Sequence, residues 1–108
     1  MPHNPMVTIT INKNTLVRID PNAKRARWTV TFTPSSIAAG NTGKIFVGRG
    51  FTPNPTVGDP NQGDVLNSGS SIEEKAGYPG DPSVYTGTVT FVSDTDGQQI
   101  TLDEQSFP

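Results

Sequence analysis

Arg25-Ala26-Arg27-Trp28-Thr29-Val30-Thr31-Phe32-Thr33 is the stretch that decides the fold class. Ala26, Trp28, Val30 and Phe32 alternate with Arg25, Arg27, Thr29, Thr31 and Thr33. Successive strand side chains point to opposite faces, so this period of two predicts a strand with one face in a core. Its other face is expected to meet solvent or a partner.

The flanking sequence repeats the pattern in shorter pieces. Asp20-Pro21-Asn22-Ala23-Lys24 reads as a turn, because Pro presets φ and Asp and Asn bond their own backbone. Before it, Met6–Asn12 sets Val7, Ile9 and Ile11 against Thr8, Thr10 and Asn12. After a polar break at Lys13-Asn14, Thr15–Ile19 forms a second short strand. After the central stretch, Pro34–Gly43 is a loop with one helical turn expected at Ser36–Ala39. Lys44–Gly48 is a strand with Ile45 and Val47 inward. The connection from Arg49 to Gly63 holds three Pro and is long for its kind, which predicts a functional loop or an excursion held by a neighbour. Asp64–Leu66, Ser70–Lys75, Val84–Ser93 and Gln98–Glu104 complete the strands, with Ile72, Ile100 and Leu102 as inward anchors. Asp94-Thr95-Asp96-Gly97 is a hairpin turn on its Asp-Gly signal. Residues 1–5 read as an extended arm, 6–104 as the domain and 105–108 as a tail.

Composition agrees with strands. Val, Ile and Thr number 30, against 3 Leu, 5 Ala and 3 Glu. β-Branched side chains fit a pleated, half-buried surface, and good helix formers are scarce. Eleven Gly and ten Pro leave no room for a long helix. The expected fold is all-β: a single β-sandwich or small β-barrel of about eight short antiparallel strands with an extended N-terminal arm. With 108 residues the core is thin, so subunit contacts are expected to add burial.

Chemistry-bearing constellations are sparse. The chain has no Cys, which excludes disulfides and thiolate metal sites. Its single imidazole, His3, sits in the arm with no acid beside it in sequence. Asp94 and Asp96 form part of a calcium-loop pattern but lack the bidentate Glu that would complete it. Glu73 and Glu74 are adjacent on a strand and so point to opposite faces, unlike a glycosidase pair. Asp59 and Asp64 flank the long loop and read as solvated charges. Arg25, Arg27 and Lys24 could hold a phosphate, but no stacking aromatic shares their face, and the net charge is −2. Edge protection or a salt link to a neighbouring subunit is the reading of Arg25 and Arg27. No stretch has the length of an apolar membrane helix, and the start lacks the pattern of a signal peptide. The reading is therefore of a non-enzyme without cofactor or metal, binding neither nucleic acid nor membrane. Phe51, Pro53, Pro55, Val57 and Pro60 put rigid apolar side chains on the long loop. They predict either a loop folded over one end of the sandwich or contact with a partner.

The order of short motifs carries a resemblance. A Val/Thr/Ile strand is followed by Asp20-Pro21-Asn22-Ala23-Lys24-Arg25, then Gly43-Lys44-Ile45-Phe46-Val47-Gly48 and Phe51-Thr52-Pro53. Val65-Leu66, Gly69-Ser70-Ser71-Ile72 and Tyr85-Thr86-Gly87-Thr88-Val89 come later. This order, over residues 6–104, resembles small tailed-bacteriophage virion accessory proteins of the head-decoration kind. The 51–63 loop and the Ser70–Ser83 stretch depart from their pattern. The resemblance implies a β-sandwich that decorates or cements a capsid or tail surface. Its partners would be a capsid or tail protein of the same virion and further copies of itself. It also implies a virion location after synthesis in the host cytoplasm. A receptor- or carbohydrate-binding module at a head-fibre or tail tip is the alternative.

Overall fold

A computed structural model describes residues 6–108; the arm at 1–5 lies outside them. Eight strands form: β1 (Val7–Ile11), β2 (Val17–Ile19), β3 (Arg25–Phe32), β4 (Ile45–Arg49), β5 (Asp64–Leu66), β6 (Ser71–Lys75), β7 (Val89–Ser93) and β8 (Gln98–Ser106). They make two four-stranded sheets, ordered β1-β8-β3-β6 and β2-β7-β4-β5, and every pairing is antiparallel. The fold is all-β, two sheets packed face to face.

Trp28, Val30 and Phe32 of β3 are fully buried, with Ile45 and Val47 of β4, Val89 and Phe91 of β7, and Ile100 of β8 against them. Trp28 meets Phe91 edge-on across the layers, ring centroids 6.2 Å apart, an arrangement the ring quadrupoles favour. The alternation in β3 therefore does what it predicts. The segment Ser36–Ala39 makes a single turn, with Ile37 and Ala38 N–H both donating to the Pro34 carbonyl, and no helix.

Arg25 departs from the alternation. The register slips between Arg25 and Arg27, so that Arg25 lies opposite Ser106 and Arg27 opposite Gln105. The extra residue turns Arg25 and Ala26 inward together, at 1% and 2% exposure, as a bulge does. Arg25 is thus a buried side chain, where the alternation put it on the outer face. Its guanidinium closes one end of the sandwich. Nε bonds Glu104 at 2.7 Å, Nη1 donates to the Tyr85 and Gly87 carbonyls at 2.6 and 3.0 Å, and Nη2 to the Asp20 carbonyl at 2.6 Å.

That network explains a second difference. Val84–Thr88 alternates like a strand, yet β7 starts only at Val89. The carbonyls of 85 and 87 face Arg25, and those of Thr86 and Thr88 accept from Asn22 and Gly50 N–H. Its backbone acceptors go to loop and side-chain donors instead of a ladder. At the chain's other end β8 runs on to Ser106, and Phe107 N–H donates to the Lys24 carbonyl at 2.7 Å. Residues 105–107 belong to the fold and do not trail from it.

Buried amides fasten the opposite end. Asn41 Nδ2 donates to the Thr33 and Gln99 carbonyls, and its Oδ1 accepts from Gln99 N–H. Gln98, fully buried, bonds Gly43 N–H and the Gly40 and Asp96 carbonyls. The Asp94–Gly97 turn joins β7 to β8. Asp94 Oδ1 accepts from Lys44 N–H, Asp96 Oδ1 accepts from Lys13 N–H, and Gly97 takes φ +71°.

Candidate protein-contact surface

The loop between β4 and β5 lies across the outer face of the second sheet, not over an end of the sandwich. Phe46 and Val92 are cross-strand partners that point away from the main core, yet their exposure is 0% and 7%. Pro53 is buried over this face. Gly48 is what permits the approach: a Cβ there would collide with the Phe51 carbonyl oxygen and sit 2.9 Å from Pro53 Cδ.

The rest of the loop is braced from within. Asn54 N–H donates to the Asn61 carbonyl at 2.9 Å, and Asn54 Nδ2 and Asn61 N–H bond the two oxygens of Asp59. Gly58 N–H donates to Gln62 Oε1 at 2.7 Å. Asp59 is therefore the carboxylate that ties the loop together. On this frame Phe51, at 43% exposure, and Val57, at 61%, face solvent, and Pro55 is also exposed. Leu16 stands beside Phe51 and Pro55 at 60%. Two shallow grooves, of about 300 and 260 Å³, meet at Leu16 and Thr52; the first is walled by Phe51 and Tyr85, the second by Pro53 and Pro55.

Of the residues named from sequence, the structure puts Phe51 and Pro55 at adjoining grooves that share Leu16 and Thr52, buries Pro53 beneath them, and leaves Val57 exposed further along the same loop. Arg25 is interior. Arg27 lies on the outer face of the first sheet, between Asp103 at 2.6 Å and Glu73 at 3.8 Å, so its charge is matched within its own sheet. Leu16 was legible as an outlier: if Val17 and Ile19 point in, Leu16 and Arg18 must point out. Tyr85 was not, because its place depends on Gly50 and Gly87, against which its hydroxyl end packs.

Glu74 is the other residue that sequence spacing does not reveal. It points inward from β6, where its oxygens accept from Trp28 Nε1 at 2.7 Å, Tyr85 N–H at 2.8 Å and Arg49 Nε at 2.7 Å. Arg49 also bonds Asp64 and lies 5.5 Å from the Trp28 ring centroid. Burial disfavours the Glu74 anion, but the Tyr85 and Trp28 hydrogen bonds and Arg49 outweigh it and hold the carboxyl below its ordinary range. A carboxylate so engaged closes the β5/β6 side of the sandwich. Asp64, read as solvated, is part of the same cluster. On the β1/β2 side the sheets instead leave a groove of about 420 Å³, floored by Val7, Ile9, Ile19 and Leu102.

Among the described residues no three His, Cys, Asp or Glu side chains converge as a metal site, and no helix is long and apolar enough to cross a membrane. No family model, curated protein or solved structure matches the chain.

Proposed function

We propose that this protein is a non-enzymatic virion structural protein that decorates or cements a capsid or tail surface through protein–protein contacts, and that it works as a homo-oligomer. The observation that carries the reading is the braced apolar loop. Phe51 and Val57 stand exposed on a segment whose backbone is already hydrogen-bonded, with Leu16 beside Phe51. A pre-ordered apolar surface loses little conformational entropy on docking. The resemblance of the motif order to phage accessory proteins suggests the kind of partner.

The test is immunogold electron microscopy of particles from the phage or prophage that encodes the chain. Regular labelling over the capsid or tail shaft supports the reading. Labelling confined to fibre or tail tips would support the receptor-binding alternative, and unlabelled particles would refute both. Phe51→Ser should reduce particle binding without unfolding the free protein.

A further inference from the structure

A two-sheet sandwich has four edge strands, here β1 and β6 in one sheet and β2 and β5 in the other. An edge offers unpaired N–H and C=O groups to any strand that fits, and proteins guard edges with charge, brevity or bulges. Three of the four are guarded. β6 carries Glu73, Glu74 and Lys75. β2 is three residues long with Arg18 at its centre, and β5 is three residues long and begins at Asp64. β1 is Val-Thr-Ile-Thr-Ile, with five residues and no charge, Pro or Gly.

The hydrogen-bond phase shows which β1 groups face outward. Gln99 turns its carbonyl to Thr33 N–H and its own N–H to Asn41, on the β3 side. Antiparallel ladders alternate bonded and non-bonded pairs, so Gln98, Ile100 and Leu102 bond β1. Their partners there are Ile11, Ile9 and Val7. Thr8 and Thr10 therefore direct both backbone groups away from the sheet.

We propose that the β1 edge is a strand-pairing surface for a second copy of this chain. Two β1 strands related by a two-fold axis at Ile9 place Thr8 opposite Thr10 of the other copy, and Thr10 opposite Thr8. Both residues of each pair have outward groups, so each pair makes two backbone hydrogen bonds. Ile9 meets its own copy and Val7 meets Ile11, on the inner face. Val7, now 48% exposed, gains a neighbour. The Thr pairs lie on the outer face, where Thr–Thr contacts across strands are favourable. No charge opposes the register anywhere along it. The two four-stranded sheets become one of eight strands, and with one unguarded edge per copy among the described residues the assembly stops at two. The inference deepens the homo-oligomer part of the proposed function and is independent of its virion part, since it concerns the free protein.

The experiment is sedimentation velocity on the full chain over a wide concentration range, with two edge variants. Thr8→Lys/Thr10→Lys and Thr8→Glu/Thr10→Glu change exposed side chains, and each puts like charges opposite one another in the proposed register. The parent should form a concentration-dependent dimer. Each variant alone should dimerise at least about tenfold more weakly, and an equimolar mixture of the two should recover the dimer. A parent that stays monomeric, grows beyond two, or dimerises equally well with either variant overturns the proposal. Particle labelling could fail while this dimer is found, or the reverse, so the two readings stand or fall separately.

Discussion

Replacing Arg25 by Met tests whether the buried guanidinium holds the sandwich end together. Met fills most of the arginine stem, so the loss is of charge and hydrogen bonds more than of volume. Arg25 makes four hydrogen bonds: one to Glu104, and three to the carbonyls of Asp20, Tyr85 and Gly87. Breaking a buried ion pair by removing one partner costs about 3–5 kcal/mol. Each carbonyl left dry would add to this, at about 1–3 kcal/mol, and water entering at the sandwich end would lessen it. A net loss of about 3–5 kcal/mol is expected, against a total stability of about 5–15 for a domain of ordinary stability. Arg18→Met is the matched control. It removes the same group from an ion pair with Asp20 whose side chains are 68% and 78% exposed, where about 0–1 kcal/mol is expected. Urea unfolding followed by tryptophan fluorescence reads both, since Trp28 is fully buried. If the two variants shift the midpoint equally, the end network is not what holds β2, β3, β8 and the 84–88 segment together.

Glu74→Gln should flatten the acid limb of stability. The folded-state pKa of Glu74 lies below its unfolded value, so its contribution is complete above about pH 4.3 and is lost as pH falls through the folded pKa. Urea midpoints at neutral and acid pH should therefore converge in the variant relative to the parent, and parallel curves would count against the assignment. Asp81, also held below its ordinary range by Gly77 and Ser83 N–H, titrates in both proteins and cancels. Gly48→Ala should cost about 1–3 kcal/mol, as overpacking does, and should raise hydrogen exchange at Gly50 N–H, which bonds the Thr88 carbonyl; unchanged exchange would mean the loop tolerates the added carbon. Phe51→Ser should weaken particle binding by about tenfold, in line with the ~1–2 kcal/mol of burying the exposed part of a ring, while the melting temperature of the free domain stays within a few degrees.

The parts of the fold legible in the sequence are those set by local alternation. Trp28, Val30 and Phe32 go inward because each lies two residues from the next, and nothing distant contradicts them. Arg25 breaks the rule because its partners lie about 60 to 80 residues later, at Tyr85, Gly87 and Glu104. Glu104 arrives only when β8 lies beside β3, and Tyr85 and Gly87 only when the 84–88 segment reaches that end of the sandwich. Phe46 and Val92 mislead in the same way: alternation exposes them, and a loop that the pattern cannot place covers them. Of the candidate contact surface, Phe51 and Val57 were legible because a proline-rich segment has few ways to bury such side chains. Pro53 and Phe51 differ in exposure because of Gly48, and a glycine's reason shows only when the backbone it admits is in place.

The strand order sets the timetable on which this molecule can be made. β7 and β8 are the last strands in the chain, and each occupies an interior position in its sheet. Among the described residues β1 has no sheet neighbour but β8, and β2 none but β7. While a ribosome is still adding residues 89–106, the first two strands have nothing to pair with, and β3 holds only β6. The nascent chain must wait, then close contacts that span most of its length, a topology associated with slow folding. Throughout that wait Val-Thr-Ile-Thr-Ile is open on both sides. A stalled or nicked chain lacking β8 would present twice the unguarded edge of the finished protein, so truncation here should yield aggregates and not a shortened domain.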